Sequence, residues 1–295
     1  MPRSFDQYLL LSFLRFSLWL VLLAVIFVPL ERLFALHPQK IFRKAILTDL
    51  AYYFLGSLVP GFLLGFPLAL VAWFVRHAIP AAYTSAVAAW PAWLKIAAAL
   101  VVGEIGFYWG HRWCHEIPFL WRFHSIHHSA EQVDFLVTTR VHPVDAVFTR
   151  LCGLAPLYVL GLSAPIRGAS LVAILVLLQN MAWAFFIHAN VRWRFGPLEW
   201  LIATPAFHHW HHTNDGPAYV NKNYAPLWPW VDRLFGTLYL PKDKQPAQYG
   251  IDEPLPASFL GQLVGPFLIP PRRTASQPSA ADPTSVRLST NGPLP

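Results

Sequence analysis

Three long apolar runs constrain the fold of this chain more than any other feature of its sequence. They lie at about 9–34, 50–75 and 93–110, and each is long enough to cross a membrane as a helix. Charged residues make up 13% of the chain, which is about half the share usual in soluble proteins. The first run is too long for a signal peptide, and no small-residue cleavage site follows it, so we expect it to be retained. The sequence predicts an all-α integral membrane protein.

Two further apolar runs, 146–164 and 168–187, predict a membrane hairpin. If His188 joins His128 at one site, the chain between them must cross the bilayer an even number of times, as a hairpin does. Basic residues in the connection after the first run place it on the cytoplasmic side by the positive-inside rule: Arg32, Lys40, Arg43 and Lys44. We expect about four to five membrane helices, a cytoplasmic histidine-rich helical cap and a cytoplasmic C-terminus.

The composition divides the chain into three parts. We expect N-terminal transmembrane helices at 1–92 and a histidine-box catalytic domain at 93–240, which includes the membrane hairpin 146–187. Residues 241–295 are rich in Pro, Ser and Ala and predict a largely disordered tail. Despite the net charge of +7, no basic stripe interleaved with aromatics suggests nucleic-acid binding. Cys114 and Cys152 predict no disulfide framework, and the helical angle of Cys114 differs from that of the nearby histidines.

Histidines are concentrated in three short motifs. Eleven of the thirteen lie in the stretch from His111 to His212, and the spacing H-x-x-H-H occurs twice in it. The motifs are His111/His115, His124/His127/His128 and His208/His211/His212. Imidazole is a ligand for zinc, copper, iron and nickel, so the motifs predict a metal site. Because a tetrahedral ion needs about four ligands, the histidines are numerous enough for two ions.

The sequence context narrows the chemistry. His115 and Glu116 begin like a zincin motif, but Phe119 stands where its second histidine would be, which argues against a metalloprotease. Haem in a membrane would need isolated axial histidines on facing helices, and adjacent pairs such as His127 and His128 do not suit it. An all-imidazole site is neutral and leaves its metals their full charge. Two redox-active irons in such a pocket could bind and cleave O2 and then abstract hydrogen from an unactivated C–H bond.

Glu104 is a charged residue inside the third apolar run, where an isolated carboxylate is costly. It shares one helical stripe with Tyr108, His111 and His115 at spacings of four, three and four. The carboxylate could therefore orient a ligand histidine. The alternative is that it hydrogen-bonds Tyr108 or turns towards water.

The ordered motifs resemble those of the fatty acid hydroxylase/sterol desaturase superfamily of membrane non-haem di-iron enzymes. The three histidine motifs match its boxes H-x3-H, H-x2-H-H and H-x2-H-H in order, and His188 resembles the family's isolated histidine before the last box. Three more segments resemble family elements: Arg140 to Asp145, Lys222 to Tyr224, and Asp232 to Thr237. The resemblance covers roughly residues 95–240.

The resemblance implies two non-haem iron ions, with O2 as co-substrate, and a set of nine ligands. These are His111, His115, His124, His127, His128, His188, His208, His211 and His212. His142 and His209 are candidates either to complete the shell of the second ion or to orient its ligands. We expect Asp145, Asn190 and Asp232 to hydrogen-bond free ring nitrogens, and for Asp232 a salt bridge within its loop is the alternative.

The implied function is the hydroxylation or desaturation of a membrane lipid. Neither the choice between these reactions nor the lipid follows from the sequence. We expect a separate electron-donor protein, because no cytochrome-like or ferredoxin-like domain is recognisable, and a location in a bacterial inner membrane. A non-enzymatic metal-binding or transport membrane protein is the alternative. A transporter should carry ionisable residues along its spans, whereas here they concentrate at one membrane face, which favours the enzyme.

Overall fold

The computed structural model describes residues 5–163 and 182–268. Within these ranges the regular structure is helical, with two isolated β-bridges, Ala35–Val191 and Thr213–Tyr249. The 3-10 helices are Phe135–Thr139 and Gly196–Trp200. The α-helices are α1 (Phe5–Leu33), α2 (Ile46–Ala78), α3 (Ala81–Ala88), α4 (Ala92–Glu116), α5 (Pro118–His128), α6 (Pro143–Val159), α7 (182–188), α8 (Pro205–His211), α9 (Pro229–Leu234) and α10 (Phe259–Leu268).

Three of these helices are long and apolar enough to cross a membrane, which indicates a membrane protein. They cover Leu9–Leu33, Ile46–Ala78 and Ala92–Glu116, and most of their side chains are not buried within the protein. The second runs unbroken through Pro60 and Pro67. The all-helical class is therefore confirmed, while the described residues contain three candidate spans and the predicted count of four to five is not confirmed. The first hairpin run corresponds to α6, and most of the second, residues 164–181, lies outside the described residues.

Helices α4 and α6 cross at small residues. A Cβ on Gly110 would lie 2.7 Å from Cβ of Cys152, and one on Gly106 would collide with the carbonyl of Cys152. Gly103 faces Gly153 at the same crossing. Small residues allow two helix backbones to approach closely, and the resulting packing does not require large apolar side chains. The crossing brings the histidine-bearing end of α4 beside the beginning of α6.

Proline and capping residues fix where the histidine-bearing helices begin. Helix α5 starts at Pro118, directly after α4 ends. The ring of His142 accepts a hydrogen bond from the main chain of Val144 and caps α6, while the hydroxyl of Thr204 caps α8 by accepting from Phe207. Proline suits the first helical position, because a backbone N–H at that position would have no partner within the helix. These local signals set the rotation at which each helix presents its histidines.

A buried ion cluster joins the connection after α1 to the segment after α5. Arg43 donates to both carboxylate oxygens of Asp134 at 2.7 and 2.8 Å, and it also pairs with Asp49. Asp49 is shared with Arg140. Every member is less than a tenth exposed, so each charge depends on its partners for compensation. The cluster fixes the loop that follows His128.

The segment 241–295 was predicted to be largely disordered. Residues 259–268 instead form helix α10, which packs on α5, with the rings of Phe123 and Phe267 5.1 Å apart. The carbonyl of Leu263 accepts a hydrogen bond from Nε2 of His142 at 3.1 Å. The predicted tail beyond 268 lies outside the described residues.

Candidate metal centre

Nine histidines form two groups whose ligand atoms lie within 4.8 Å of one another. We call the first the five-histidine group; it contains His111, His115, His124, His128 and His211. We call the second the four-histidine group; it contains His127, His188, His208 and His212. These are the nine residues that the sequence singled out as ligands, and the fold brings all of them together.

Helical geometry explains why neighbouring histidines belong to different groups. Successive residues on an α-helix point about 100° apart, because one turn contains about 3.6 residues. His127 therefore faces the four-histidine group while its neighbour His128 faces the other. In α8, His211 faces the five-histidine group. His208 and the residue directly after the helix, His212, are four residues apart and face the four-histidine group. Each pair of adjacent histidines, His127–His128 and His211–His212, thus contributes one ring to each group.

The Nε2 atoms of each group converge. In the five-histidine group, Nε2 of His124 lies 3.2, 3.1 and 3.2 Å from those of His111, His115 and His128. In the four-histidine group, Nε2 of His188 lies 3.3 Å from that of His127 and 2.9 Å from that of His208. Nitrogens bound to one metal at about 2.1 Å lie about 3 Å apart. The spacing therefore suits a metal ion within each group.

Hydrogen bonds on the far side of two rings fix which ring nitrogen carries the hydrogen. Nδ1 of His111 lies 2.7 Å from the carbonyl of Tyr224, and Nδ1 of His124 lies 2.8 Å from Oδ2 of Asp145. Since both partners only accept, each Nδ1 carries the hydrogen, and a neutral ring then has a lone pair on Nε2. When both rings are neutral, two lone pairs face each other across 3.2 Å. A cation between them would remove this repulsion.

The remaining rings are also in the form that binds metals. Nδ1 of His211 donates to the carbonyl of Lys222 at 2.9 Å, which leaves its Nε2 buried and without a hydrogen-bond partner in the described protein. Burial, reinforced by neighbouring rings, holds the pKa of His211 and His212 well below the ordinary value. Burial lowers the pKa of His188 to about 3. All three rings are therefore neutral at physiological pH, as ligation requires.

The two groups differ in how their rings are held. In the five-histidine group, Asp145 supplies a buried carboxylate to His124, and its other oxygen accepts from Sγ of Cys114 at 3.5 Å. In the four-histidine group, His188 is anchored by the carbonyl of Ala184 at 2.8 Å. The Nδ1 atoms of the other three, His127, His208 and His212, are buried without a partner in the described residues.

His142 and His209 lie outside both groups. Both ring nitrogens of His142 are engaged with the main chain of α6 and α10. Nε2 of His209 contacts the carbonyls of His188 and Ala189 at 3.3 and 3.1 Å, and its Nδ1 lies 2.6 Å from the hydroxyl of Tyr249. In the structure His209 holds the segment that carries His188, whereas His142 caps α6, the helix that carries Asp145.

The other three candidates contact the main chain rather than ring nitrogens. Glu104 accepts from the N–H groups of residues 227 and 228 at 2.8 and 2.7 Å. Asp232 accepts from the N–H groups of Tyr224 and Ala225 at 2.7 and 2.9 Å. Asn190 pairs with the main chain of His37. Glu104 and Asp232 therefore act on the loop whose Tyr224 carbonyl holds His111.

Sequence reasoning did not identify Tyr224 and Tyr249 as part of the site. The ring of Tyr224 packs 5.0 Å from that of His115, and its carbonyl fixes His111. Tyr249 holds His209 from a segment predicted to belong to the tail. The Lys222-Asn-Tyr224 motif marked the first region, but a role played by a carbonyl oxygen leaves no signal in the residue type.

Comparison with known proteins gives several significant matches. Ornithine lipid hydroxylase from Rhizobium tropici is 36% identical over 182 residues, which cover 60% of this chain and 52% of that protein. Alkylglycerol monooxygenase from Homo sapiens is 32% identical over 152 residues, which cover 52% of this chain and 32% of that protein. A very-long-chain aldehyde decarbonylase from Oryza sativa is 29% identical over 143 residues, 46% of this chain and 21% of that protein.

The chain thus spans about half the length of the ornithine lipid hydroxylase and about a third of that of the alkylglycerol monooxygenase. No solved structure gives a significant match. The family model described as fatty acid hydroxylase matches residues 96–237, and this range contains both histidine groups. The resemblance inferred from the histidine motifs is confirmed. Residues 96–237 of this chain are a domain of the fatty acid hydroxylase family.

Proposed function

We propose that the protein is an O2-dependent di-iron oxidoreductase that hydroxylates or desaturates a C–H bond of a membrane lipid. The observation that carries the proposal is the pair of buried imidazole groups at the end of a helix long enough to span a membrane. The names of the ornithine lipid hydroxylase and the alkylglycerol monooxygenase, both oxidative enzymes of lipids, support this reaction class. The alternative of a non-enzymatic metal-binding or transport protein finds no support among these relatives.

The donor set fits iron. Imidazole nitrogens suit iron, zinc, copper and nickel, and of these iron best serves C–H oxidation with O2. When bound, two irons would supply the redox chemistry for O2 activation and C–H cleavage. The five-histidine group would hold one ion and the four-histidine group the other. We propose this ligand set in full, with His142 and His209 outside it.

Residues of the chain fix which nitrogen of a ligand ring carries the hydrogen, orient the ring and limit the access of water to it. Asp145 holds a proton at Nδ1 of His124, and the carbonyls of Tyr224 and Lys222 do the same for His111 and His211. These contacts direct each Nε2 lone pair towards the ion. Eight of the nine rings are buried, so water has little access to the centre. Low water access protects reactive species and strengthens electrostatic contacts.

We place the centre on the cytoplasmic side of a bacterial inner membrane. The basic residues at the end of α1 and in the connection to α2, Arg32, Lys40 and Lys44, support this orientation. The histidines lie at the same end of the first and third spans. We propose that a separate protein delivers electrons to this face.

Comparative lipid mass spectrometry tests the proposal. Cells that express the protein should accumulate a lipid heavier by one oxygen or lighter by two hydrogens than its precursor, and the change should require O2. His128→Ala or His212→Ala should abolish this product and lower bound metal, because each removes a ligand from a different group. His77→Ala is the matched control, since His77 is exposed and its ring contacts the carbonyl of Trp73. Full activity and full metal content in His212→Ala would refute the two-ion site.

A further inference from the structure

A large cleft with many charged residues in its walls lies beside the metal centre without containing any of its histidines. Its volume is about 1420 Å³. The walls are the connection between α1 and α2, the loop 129–132 that follows His128, and residues 251–257. The cleft thus opens at the end of α1, and one of its walls is the segment next to a candidate metal ligand.

The two sides of the cleft carry opposite charge. The end of α1 and the connection to α2 contribute the exposed cations Arg32, Lys40 and Lys44. Glu131 and Asp252, both exposed, come from the other two segments, and these segments touch, because a Cβ on Gly250 would contact the side chain of Glu131. A ligand that carries both an anionic and a cationic group would find a counter-charge for each.

The deeper charges of the cleft are already compensated. Arg43 and Arg140 line it, but both are buried and paired with the carboxylate of Asp49, and Arg43 also pairs with Asp134. They make the floor rigid and leave the charges at the rim to discriminate between ligands. Arg140 also donates to the hydroxyl of Ser129 at 3.3 Å, which fixes the wall next to His128.

A smaller apolar groove of about 220 Å³ continues from the cleft between α1 and α2. The two cavities share lining residues, among them Glu31, Arg32 and Lys40. From Arg32 the groove follows α1 down to Leu20, twelve residues away, which is roughly 18 Å of helix. Because α1 is apolar and long enough to span a membrane, this groove runs along the depth of the bilayer.

We propose that the cleft and the groove bind one lipid, with a zwitterionic headgroup in the cleft and an acyl chain in the groove. Its identity as the substrate rests on the proposed function, whereas the binding does not. Glu31, which lines both cavities, accepts from the N–H groups of Phe135 and Asn190. Asn190 is two residues from His188, so the bound lipid lies against segments that carry ligands of the metal centre.

The selectivity of the protein for lipid headgroups tests this proposal, and the test measures binding and does not require catalysis. Full-length protein in detergent is mixed with dioleoyl lipids that share their chains: zwitterionic phosphatidylethanolamine, anionic phosphatidylglycerol and neutral diacylglycerol. Binding is measured by native mass spectrometry. We expect the zwitterionic lipid to bind at least about tenfold more tightly than the neutral one, because each charge contact at a membrane surface contributes about a factor of five. Phosphatidylglycerol should bind less tightly than the zwitterion, because it has no cationic group to pair with Glu131 and Asp252.

Charge-neutralising variants locate the site. Lys40→Gln with Lys44→Gln should weaken binding of phosphatidylethanolamine about tenfold and leave diacylglycerol unchanged. Lys242→Gln with Lys244→Gln is the matched control, since it removes the same charge from exposed residues outside the cleft. Glu131→Gln should separately lower the preference for the zwitterion over phosphatidylglycerol.

Two results would overturn the assignment. One is equal affinity for the neutral and the zwitterionic lipid; the other is the same affinity in the cleft variant and its control. Lipid oxidation and metal content are measured separately, so an enzyme that is active but shows no headgroup selectivity would refute the cleft and leave the proposed function intact. Selective binding without any lipid oxidation would support the cleft and refute the proposed function.

Discussion

Replacement of Asp145 by asparagine should weaken metal binding at the five-histidine group alone. Asp145 is 3% exposed, and its Oδ2 lies 2.8 Å from Nδ1 of His124. Burial raises its pKa, but the electrostatic interaction and the hydrogen bond with the ring of His124 outweigh burial and hold the pKa of Asp145 below its ordinary value. The side chain is therefore a carboxylate at neutral pH, and the hydrogen bond is assisted by its charge.

The magnitude follows from what the substitution removes. Asparagine has nearly the same volume, and its amide oxygen can still accept from Nδ1 of His124. A hydrogen bond to a charged group contributes about 1.5–3 kcal/mol and a neutral one about 0.5–1.5 kcal/mol, so the loss is about 1.4 kcal/mol. That loss corresponds to about a tenfold weaker affinity, at the lower end of the effect of partners behind metal ligands. Asp145→Ala, which removes the acceptor, should approach a hundredfold.

Anaerobic competition with a ferrous chelator measures the effect. About one ion per chain should leave the variant at roughly tenfold lower chelator concentration, while the ion of the four-histidine group stays at its wild-type affinity. Asp243→Asn, an exposed carboxylate outside the centre, is the control. Wild-type affinity in Asp145→Asn, or equal weakening of both ions, would show that Asp145 does not act through His124.

Three further predictions address the surroundings of the centre. Tyr249→Phe removes the hydroxyl 2.6 Å from Nδ1 of His209 and should lower metal retention in the four-histidine group several-fold, as chelator competition would show. Gly110→Val should destabilise the protein by about 1–3 kcal/mol through a clash at the crossing of α4 and α6, measured by unfolding in detergent against Gly65→Val, where a Cβ meets open space. Arg43→Gln should cost about 3–5 kcal/mol because it leaves buried carboxylates uncompensated, whereas Arg112→Gln, in a more exposed pair, should cost under about 1 kcal/mol.

The resemblance to the family supplied the full set of nine candidate ligands, His188 included, and helical periodicity accounts for how the motif histidines are arranged. Histidines four apart on a helix share a face, and the double histidines must point in different directions, so their division between two groups follows from helical geometry. Asp145 was also singled out, because it ends the segment from Arg140 that resembles a family element and a carboxylate commonly holds the free ring nitrogen of a ligand. The long apolar runs indicated the three spans in the same way.

Contacts made by the main chain were not predictable. Asn190 and Asp232 were expected to hold ring nitrogens, but they bind N–H and carbonyl groups of loops brought near by tertiary packing. The carbonyl of Tyr224 behind His111 depends on the same loops. Helix α10 was not predicted, because the Pro-rich composition of residues 241–295 outweighed the apolar character of the ten residues that form it. Side-chain chemistry is visible in a sequence, whereas the placement of a carbonyl is not.

The metal content of the protein tests the central claim most directly. Protein purified without oxygen is analysed for iron per chain by elemental analysis, and its optical spectrum is recorded. Two separate imidazole groups predict about two irons per chain and no haem absorbance, with loss of about one iron in His111→Ala or in His188→Ala. A single tightly bound ion, or a stoichiometric Soret band, would contradict the account.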